Sequence, residues 1–508
     1  MNPMQTIIFH AAGTPEIYQR LLATGKYCEG NLHCKTFGDG EIYHRINTPV
    51  KHREVVVVGD MSSNAAILAS YDVCNAVFDE TALGLTLLMP KQGLSEDPFR
   101  QRCLSTLFQS IPRTPRGNRL VIVDAGSQGV PHYENLHFSG VLSHTADPAF
   151  ELFGIDSKPV ILHTSSYGYL AREMMKHGDF ELGAWETEQL DGRPFFKALK
   201  TDLKGRIVVI VSGTIDDTET MELFYMSCAV AEAGALARKK IVAYYGYGTM
   251  ERKVLAGEAV KGKIRARLLS AIPACPLGND VVLCDLHTEG IPYYMEGGLQ
   301  PQHVYIAKHL VSSVAREMCG LPSSDVLGEL PMALPENTLG IPTLTATDAG
   351  RHNWIKSIGR EVGMKTAFGR KERTGPDKVE FVGVLGDVLK KNALEYDDKL
   401  GTGGTSVEAA GGIRLDQYGK ELIDLARSED SKKLEPALIP QVETVFVGTH
   451  GVFAGEALKK LQAKDLFGRP LITRVVVADT HPRSRMVADG TLIKIKTVAL
   501  LLSQAVLD

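Results

Sequence analysis

Short runs of apolar residues recur along the chain, separated by stretches in which apolar and polar positions alternate with helical spacing. Each run is continuous, which is typical of strands buried on both faces of a parallel sheet. The pattern therefore predicts an α/β protein built on parallel sheets. The predicted strands are 55–58, 120–123, 207–211, 281–283, 379–384, 445–447 and 471–477.

The first 312 residues contain an internal repeat. IIFHAAG around His10 returns as VILHTSS around His163, and REVVVVGD from Arg53 returns as RIVVIVSG from Arg206, both 153 residues later (163 − 10 and 206 − 53). We therefore predict two copies of one domain, a first copy over residues 1–157 and a second copy over 158–312. A third domain is predicted over 313–508, and the Pro/Gly-rich stretch 321–342 is the best candidate for its junction.

Composition narrows the class of protein. The chain has 508 residues, of which 56 are basic and 60 acidic, so no net basic field attracts nucleic acid. Its eight cysteines are scattered without a CxxC pair, which is typical of reduced thiols. No apolar run approaches the ~20 residues needed to span a bilayer, and the N-terminus shows no secretory pattern. We expect a cytoplasmic protein that binds neither nucleic acid nor membrane.

The most informative segment is EYDDKLGTGGTSVEAA at 395–410, where two aspartates precede a Gly-rich turn and a helical pattern. The two glycines let backbone N–H groups approach a phosphate, and the helix adds its positive end. The flanking threonines can donate to phosphate oxygens, and the aspartates can accept from ribose hydroxyls, directly or through a metal ion. The segment therefore predicts a sugar-phosphate site. Its members are Asp397, Asp398, Thr402, Gly403, Gly404 and Thr405.

The surrounding segments resemble those of the ribose-phosphate pyrophosphokinases. In the third domain these are TAFGRKERTGPDKVEFVGVLGDV (366–388), FVGTHGVFAGEAL (446–458) and VVVADTHP (475–482). In the second copy they are MELFYMSCAVAEAGA (221–235), IVAYYGYGTMERK (241–253) and VVLCDLHTEGI (281–291). The resemblance implies three phosphoribosyltransferase-like (type I) parallel-sheet domains in tandem.

The family resemblance also implies a reaction. A member would transfer the β,γ-diphosphoryl group of ATP to the anomeric hydroxyl of ribose 5-phosphate, with Mg²⁺, giving phosphoribosyl diphosphate and AMP. Lys371 and Arg373 match the family's basic catalytic residues, on a segment expected to be a mobile loop, and His287 matches its metal-binding histidine. Asp348, in TATDAGRHN, matches a second metal position. The implied partners are ATP and a sugar phosphate, and the resemblance leaves room for a homo-oligomer.

Several residues depart from the family pattern. Thr249 and Met250 replace an arginine-glutamine pair in the ATP loop, which leaves Arg252 as its phosphate partner, and Arg351 replaces a glycine. These changes leave open a larger acceptor, such as ADP-ribose. A non-catalytic regulatory homologue is a second alternative, but such proteins usually lose the residues that remain here. A phosphoribosyltransferase is a third, although it would not need the DLH segment or a second nucleotide domain.

The two copies differ in complementary ways. In the family, a neighbouring subunit completes the adenine site through a phenylalanine, an aspartate and a glutamate, and the first copy has Phe37, Asp39 and Glu41 at these positions. The second copy reads EQLDGRPFFKA there, and the first copy reads VDAGSQG where the second has its DLH histidine. We therefore predict that the first copy supplies these three residues to an ATP site that the second copy completes.

Overall fold

The computed structural model describes residues 5–13, 15–90, 97–116, 118–123, 158–190, 192–346, 352–373, 379–428 and 439–507. The chain forms two compact units, Met1–Gly168 with Asp179–Gln302, and Tyr169–Gly178 with His303–Asp508. All eight cysteines are free thiols. Within the described ranges, no helix is long and apolar enough to cross a membrane.

The described part of the first copy is a five-stranded parallel sheet with three helices and a separate hairpin. Its elements in chain order are β1 (Thr6–His10), α1 (Glu16–Ala23), β2 (Tyr27–Glu29), β3 (Leu32–Thr36), β4 (Ile42–Ile46), β5 (Glu54–Val58), α2 (Asn64–Asp79), β6 (Gly84–Pro90), α3 (Pro98–Gln109) and β7 (Asn118–Val123). The sheet order is β2-β1-β5-β6-β7, and β3 pairs antiparallel with β4.

The second copy repeats this order of elements and adds a strand. It contains β8 (Val160–His163), α4 (Gly168–Met174), β9 (Glu181–Leu182), β10 (Trp185–Leu190), β11 (Arg193–Leu199), β12 (Ile207–Ser212), α5 (Asp217–Glu232), β13 (Ala237–Val242), α6 (Lys261–Ala271), β14 (Gly278–Cys284), a 3-10 turn (Ile291–Tyr294) and β15 (Gln300–Val304). The sheet order is β9-β8-β12-β13-β14-β15, so its first five strands follow the order of the first sheet.

Helices α2 and α5 occupy equivalent places in the two copies and pack against each other. Each begins at a side-chain cap: Ser63 accepts the Ala66 N–H at 3.2 Å, and Asp216 accepts the Glu219 N–H at 2.8 Å. One hydrophobic core includes buried residues of both helices and both sheets. Each large apolar side chain buried there contributes about 1.5–3 kcal/mol to stability. The two copies are therefore joined through a common core.

The third domain is a seven-stranded sheet flanked by helices. Its elements are α7 (Ala307–Met318), β16 (Thr343–Ala346), α8 (His352–Val362), β17 (Thr366–Arg373), β18 (Val379–Leu385), β19 (Ala393–Leu400), α9 (Gly404–Tyr418), α10 (Lys420–Arg427), β20 (Thr444–Gly451), α11 (Ala457–Lys460), β21 (Arg474–Ala478), α12 (Pro482–Val487), β22 (Ile493–Lys496) and α13 (Ala499–Leu507). The order is β18-β17-β16-β19-β20-β21-β22, and all neighbours are parallel except β17 and β18.

The predicted α/β class with parallel sheets is confirmed. Two predicted strands differ in detail: 379–384 lies in the antiparallel edge strand β18, and 471–477 is a strand only from Arg474 onward. Strands β20 and β21 lie on predicted apolar runs and are buried along nearly their whole length. Strands β17, β19 and β22 contain charged residues and were not predicted. The tandem arrangement of three type I domains and the boundaries at 157 and 312 stay predictions.

Candidate functional site

The predicted ATP loop lies in the first unit, between the end of β13 and the start of α6. Gly246 must be glycine, because a Cβ there would lie 2.1 Å from the Thr214 carbonyl oxygen. Tyr247 has a left-handed backbone with φ of 59°, which costs an ordinary residue about 1–2 kcal/mol. Its ring lies under two cations, with Lys261 Nζ at 4.8 Å and the Arg265 guanidinium at 5.0 Å from the ring centroid. The loop is therefore held in one conformation by its surroundings.

Glu41 of the first copy joins the hairpin to this loop. The side chain is buried, and its Oε1 accepts the Tyr247 backbone N–H at 2.6 Å. Its Oε2 lies 3.5 Å from the Thr249 hydroxyl, which donates to it. A carboxylate that accepts such bonds makes charge-assisted contacts, which are stronger than neutral ones. Glu41 thus holds the predicted ATP loop through the loop's own donors, and its role toward ATP itself stays a prediction.

Phe37 and Asp39 lie in the turn between β3 and β4. Phe37 is exposed over 37% of its surface, and its ring packs edge-on against Tyr43 with 6.2 Å between centroids. Asp39 Oδ1 accepts the Glu41 N–H at 3.2 Å, which fixes the turn. The hairpin therefore presents a partly exposed aromatic face beside a structured carboxylate.

The rest of the hairpin is bonded to the segment that follows the ATP loop. The Ile46 N–H donates to the Gly257 carbonyl at 2.7 Å, and the Ala259 N–H donates to the His44 carbonyl at 2.9 Å. Glu258 accepts the Tyr43 hydroxyl at 2.7 Å and the Val254 N–H at 2.6 Å. These contacts tie strand β4 of the first copy to residues 254–259 of the second.

His287 and Arg252 lie at the edges of the loop. His287 follows β14 and is exposed, and a Cβ added to Gly248 would lie 3.5 Å from the His287 Cβ. The structure therefore brings His287 beside the segment that Glu41 holds. Arg252 projects into solvent with 80% of its side chain exposed, at 3.6 Å from Glu251. The Glu251 carbonyl accepts the Tyr294 hydroxyl at 2.8 Å, which links the loop to the turn after His287.

A buried network of charges lies beneath the loop. Asp72 from α2 pairs with Arg265 and Lys261 from α6, both at 2.9 Å, and Arg265 also reaches Asp217 at 3.1 Å. Burial alone would raise the pKa of Asp72, but the charges of Arg265 and Lys261 hold it far below its ordinary value. For Asp217 burial prevails over the same cations, and its pKa is raised. The network joins the two copies directly under Tyr247.

The predicted sugar-phosphate loop lies in the second unit, between β19 and α9. Gly403 caps α9 with a left-handed φ of 73°, so the loop turns sharply into the helix. Asp398 is buried and Asp397 is half-buried, whereas Thr402 and Thr405 are exposed. The Asp397 side chain accepts the Asp398 N–H at 2.9 Å. The six predicted residues thus run from the end of β19, where Asp397 and Asp398 lie, through the turn at Thr402 and Gly403 to the first residues of α9.

The segment after β20 supports this loop. The N–H groups of Val452 and Phe453 donate to the Leu400 carbonyl at 3.0 Å, and the Ala454 N–H donates to the Gly401 carbonyl at 2.9 Å. A Cβ at Gly404 would lie 3.8 Å from Lys460 Nζ. Sequence reasoning missed Lys460, whose cation lies beside the phosphate loop. Lys460 ends a short helix and belongs to no local sequence motif, so nothing near it in the sequence identifies it.

The basic pair lies on a strand. Lys371 and Arg373 belong to β17, where they pair with Phe381 and Val379 of β18, so the expected loop is a hairpin strand at these positions. Asp348 falls outside the described residues. Among the described residues, no group of three or more His, Cys, Asp or Glu side chains is arranged to hold a metal ion.

Comparisons with known proteins find similarity to ribose-phosphate pyrophosphokinases. A family model described as the N-terminal domain of ribose phosphate pyrophosphokinase matches residues 159–272, within the second copy. The ribose-phosphate pyrophosphokinase of Methanothermobacter thermautotrophicus is 28% identical over 222 residues, which cover 44% of this chain and 68% of that protein. The one from Caldanaerobacter subterraneus is 25% identical over 348 residues, covering 66% and 90%.

A solved structure is also similar. The phosphoribosylpyrophosphate synthetase of Mycobacterium smegmatis matches with a TM-score of 0.50 at 19% identity, covering 69% of this chain and 98% of that one. At this identity the match concerns the fold. The family model covers the segments 221–235 and 241–253 singled out in the second copy.

Proposed function

Because the chain belongs to the ribose-phosphate pyrophosphokinase family, we propose that it transfers the β,γ-diphosphoryl group of ATP to the anomeric hydroxyl of ribose 5-phosphate. The products are phosphoribosyl diphosphate and AMP. The observation that supports the proposal is the segment from Asp397 to Thr405, where two carboxylates at the end of β19 precede a left-handed glycine at the start of α9. Such a turn suits a 5-phosphate at the helix N-terminus and ribose hydroxyls at the carboxylates.

The reaction needs positioning and charge neutralisation more than covalent chemistry. The sugar hydroxyl attacks the β-phosphorus in line, the bond between that phosphorus and the α,β-bridging oxygen breaks, and AMP leaves. Lys371 and Arg373 are proposed to offset the negative charge that develops on the transferred group. Lys460 lies where it can add a positive charge beside the sugar phosphate.

The ATP half of the proposal rests on the first unit. Phe37 offers an aromatic face for the adenine, Asp39 lies beside it as an acceptor, and Glu41 holds the backbone of the predicted ATP loop. Arg252, with most of its side chain exposed, is proposed to reach the phosphates. His287 is proposed as a metal ligand. Mg²⁺ usually keeps several waters and takes most of its other ligands from substrate phosphates. The exposed imidazole of His287 fits that mode, in which the ion would neutralise triphosphate charge.

The identity of the products tests the reaction. The purified protein, incubated with ATP, Mg²⁺ and ribose 5-phosphate, should release AMP and phosphoribosyl diphosphate in equal amounts, measured by mass spectrometry. Ribose without its 5-phosphate is the matched control and should give little AMP, because the helix N-terminus then has no anion to bind. ADP as the only nucleotide product would contradict diphosphoryl transfer. AMP release with ADP-ribose but not with ribose 5-phosphate would move the acceptor to the larger compound.

A second test concerns the first copy. Phe37→Ala should raise the apparent KM for ATP about 5- to 150-fold, because stacking of a base on an aromatic ring contributes ~1–3 kcal/mol. Glu41→Ala should act in the same direction, since it leaves the buried Tyr247 N–H without its acceptor. The KM for ribose 5-phosphate should change little. His33→Ala, which replaces an exposed residue of the same hairpin, is the control. Unchanged ATP kinetics in folded Phe37 and Glu41 variants would remove the first copy from the site.

A further inference from the structure

Three ionisable side chains form an array that leads from the hairpin of the first copy into the protein: the thiol of Cys34, the imidazole of His44 and the carboxylate of Asp72. Cys34 on β3 lies directly opposite His44 on β4 in the antiparallel ladder. Cys34 is exposed, whereas His44 is only 4% exposed. Behind His44, its Nδ1 lies 3.8 Å from Oδ2 of the fully buried Asp72. The thiol thus stands at the solvent end of a chain of ionisable groups that leads into the protein.

The charges around this array favour a thiolate next to an imidazolium. Contact with His44 and the nearby positive charge of Lys261 lower the pKa of Cys34, against the opposing effect of partial burial. Burial would lower the pKa of His44, but Asp72 and Cys34 raise it overall, while Lys261 opposes them. Arg265 and Lys261 keep Asp72 ionised. His44 and Lys261 are thus the groups that act on the thiol, and Asp72 and Arg265 lie behind them in the same network.

The other cysteines have no comparable surroundings. Of the eight, all within the described residues, Cys34 is the one that is exposed. Cys28 is half-buried and its thiol donates to the Gln5 side chain at 3.0 Å. Cys319 is half-buried and burial raises its pKa. A thiol is reactive when its pKa is low and it is exposed. Cys34 is therefore the cysteine that we expect to react.

We propose that Cys34 is a modification site that reacts with small disulfides. Its thiolate sulfur attacks one sulfur of the disulfide R–S–S–R, a new S–S bond forms, and the old one breaks. R–S⁻ leaves with the electron pair and takes a proton from water according to its own pKa. No other oxidant is consumed, and an excess of thiol reverses the step.

The modification acts on the contact between the two copies. His44 supplies the carbonyl that accepts the Ala259 N–H, and Ile46, two residues further on β4, donates to Gly257. A group attached to Cys34 occupies the space beside the His44 ring and removes the thiolate that pairs with it. Strand β4 then holds residues 257–259 less firmly. This consequence concerns backbone bonds and does not depend on the proposed reaction.

Reaction with 2,2′-dithiodipyridine, a neutral small disulfide, tests the site in the full-length protein. At pH 7 one thiol per chain should react at least about tenfold faster than Cys28 or Cys319, with the modified residue located by peptide mass spectrometry. His44→Gln should slow the reaction of Cys34 about threefold or more, because glutamine cannot carry the positive charge of the protonated imidazole. His33→Gln, the adjacent exposed histidine on β3, should leave the rate unchanged. Equal rates for Cys34 and the two half-buried thiols, or an unchanged rate in folded His44→Gln, would overturn the proposal.

Two further measurements decide the matter if His44→Gln does not fold. In the unchanged protein, the reaction rate of Cys34 should reach half its maximum at a lower pH than that of Cys319, whose pKa burial raises, and coinciding midpoints would overturn the site. In the modified protein, the amides of Ile46 and Ala259 should exchange hydrogen faster than in Cys34→Ser treated in the same way. Identical exchange would show that modification does not reach the contact between the copies.

Discussion

Asp72 is the residue through which the buried charges beneath the ATP loop are connected. It is fully buried and receives two cations at 2.9 Å, and the same cations lie against the ring of Tyr247. Removing one member of such a network leaves the others buried and uncompensated, which costs far more than the network contributes to stability. The loop's conformation therefore depends on a side chain of the other copy.

Asp72→Asn should destabilise the protein by about 3–5 kcal/mol at pH 7, because Lys261 loses its carboxylate partner inside the core. The pKa of Asp72 is lowered in the folded state, so this stabilisation is present above the unfolded pKa near ~4 and is lost as pH falls toward the folded value. The difference between the two proteins should therefore shrink below about pH 4. Urea unfolding at several pH values measures it.

Glu186→Gln is the control for that experiment. Glu186 pairs with Lys197 at 2.8 Å on the surface, and its loss should matter much less. A pH-independent gap between wild type and Asp72→Asn would mean that the carboxylate's charge is not the source of the stability.

The sequence predicts candidate site residues where they form local motifs and misses side chains whose role depends on distant partners. The turn at 397–405 could be identified because its glycines, threonines and aspartates are contiguous. Asp72 and Arg265 lie far apart in sequence, and each looks like an ordinary charged position on a helix until the fold buries both. Glu41 was recognised by resemblance, but its contact with the Tyr247 N–H required the structure.

At the scale of elements, the hairpin β3–β4 and the segment 254–259 form one joint. The two backbones lie so close at Gly257 that a Cβ on this residue would lie 1.7 Å from the Ile46 carbonyl oxygen. Strands such as β5, β12 and β20 were predictable because fully buried strands are continuously apolar. This joint was not, because its bonds run between segments of different copies that lie far apart in sequence.

Gly257→Ala should open the joint. Gly257 has φ of +82°, and Gly298 has φ of +81° with no atom within 4 Å of a Cβ built there. Both substitutions carry the left-handed strain of about 1–2 kcal/mol, but only the first clashes with Ile46. Gly257→Ala should therefore lower Tm more than Gly298→Ala and, under the proposed function, raise the KM for ATP several-fold. Equal Tm values for the two variants would indicate that the joint yields without cost.

At the scale of the molecule, the two copies form a single cooperative body within the first unit. Buried apolar residues of both copies form a common core, which runs from Ile7 to Leu299, and a smaller cluster around Ile8 and Val56 belongs to the first copy alone. Buried ion pairs cross between α2 and α6, and Arg102 of α3 pairs with Glu232 of α5 at 2.9 Å. Neither copy could leave the other without exposing helix faces that are now buried.

Strands β5 and β12, one from each copy, should therefore lose protection together. Hydrogen exchange at rising urea concentration should give both strands the same free energy and the same denaturant dependence of opening. Strand β1 should follow β5, because the two are paired in the first sheet. If β5 exchanged at lower urea than β12, the first copy would be an independently unfolding domain, and the common core would not couple them.

Helices α2 and α5 correspond residue for residue, yet their central positions have different chemistry. Asp72 faces Arg265 and Lys261, whereas its counterpart Tyr225, 153 positions later (225 − 72), lies under the guanidinium of Arg100 at 5.6 Å. In a dimer of identical subunits each substitution appears on both sides of the contact and must be acceptable twice. Here each appears once. Mutation can therefore explore one side of the contact while the other is preserved, so the two halves of an ancestral symmetric interface are free to diverge under separate selection.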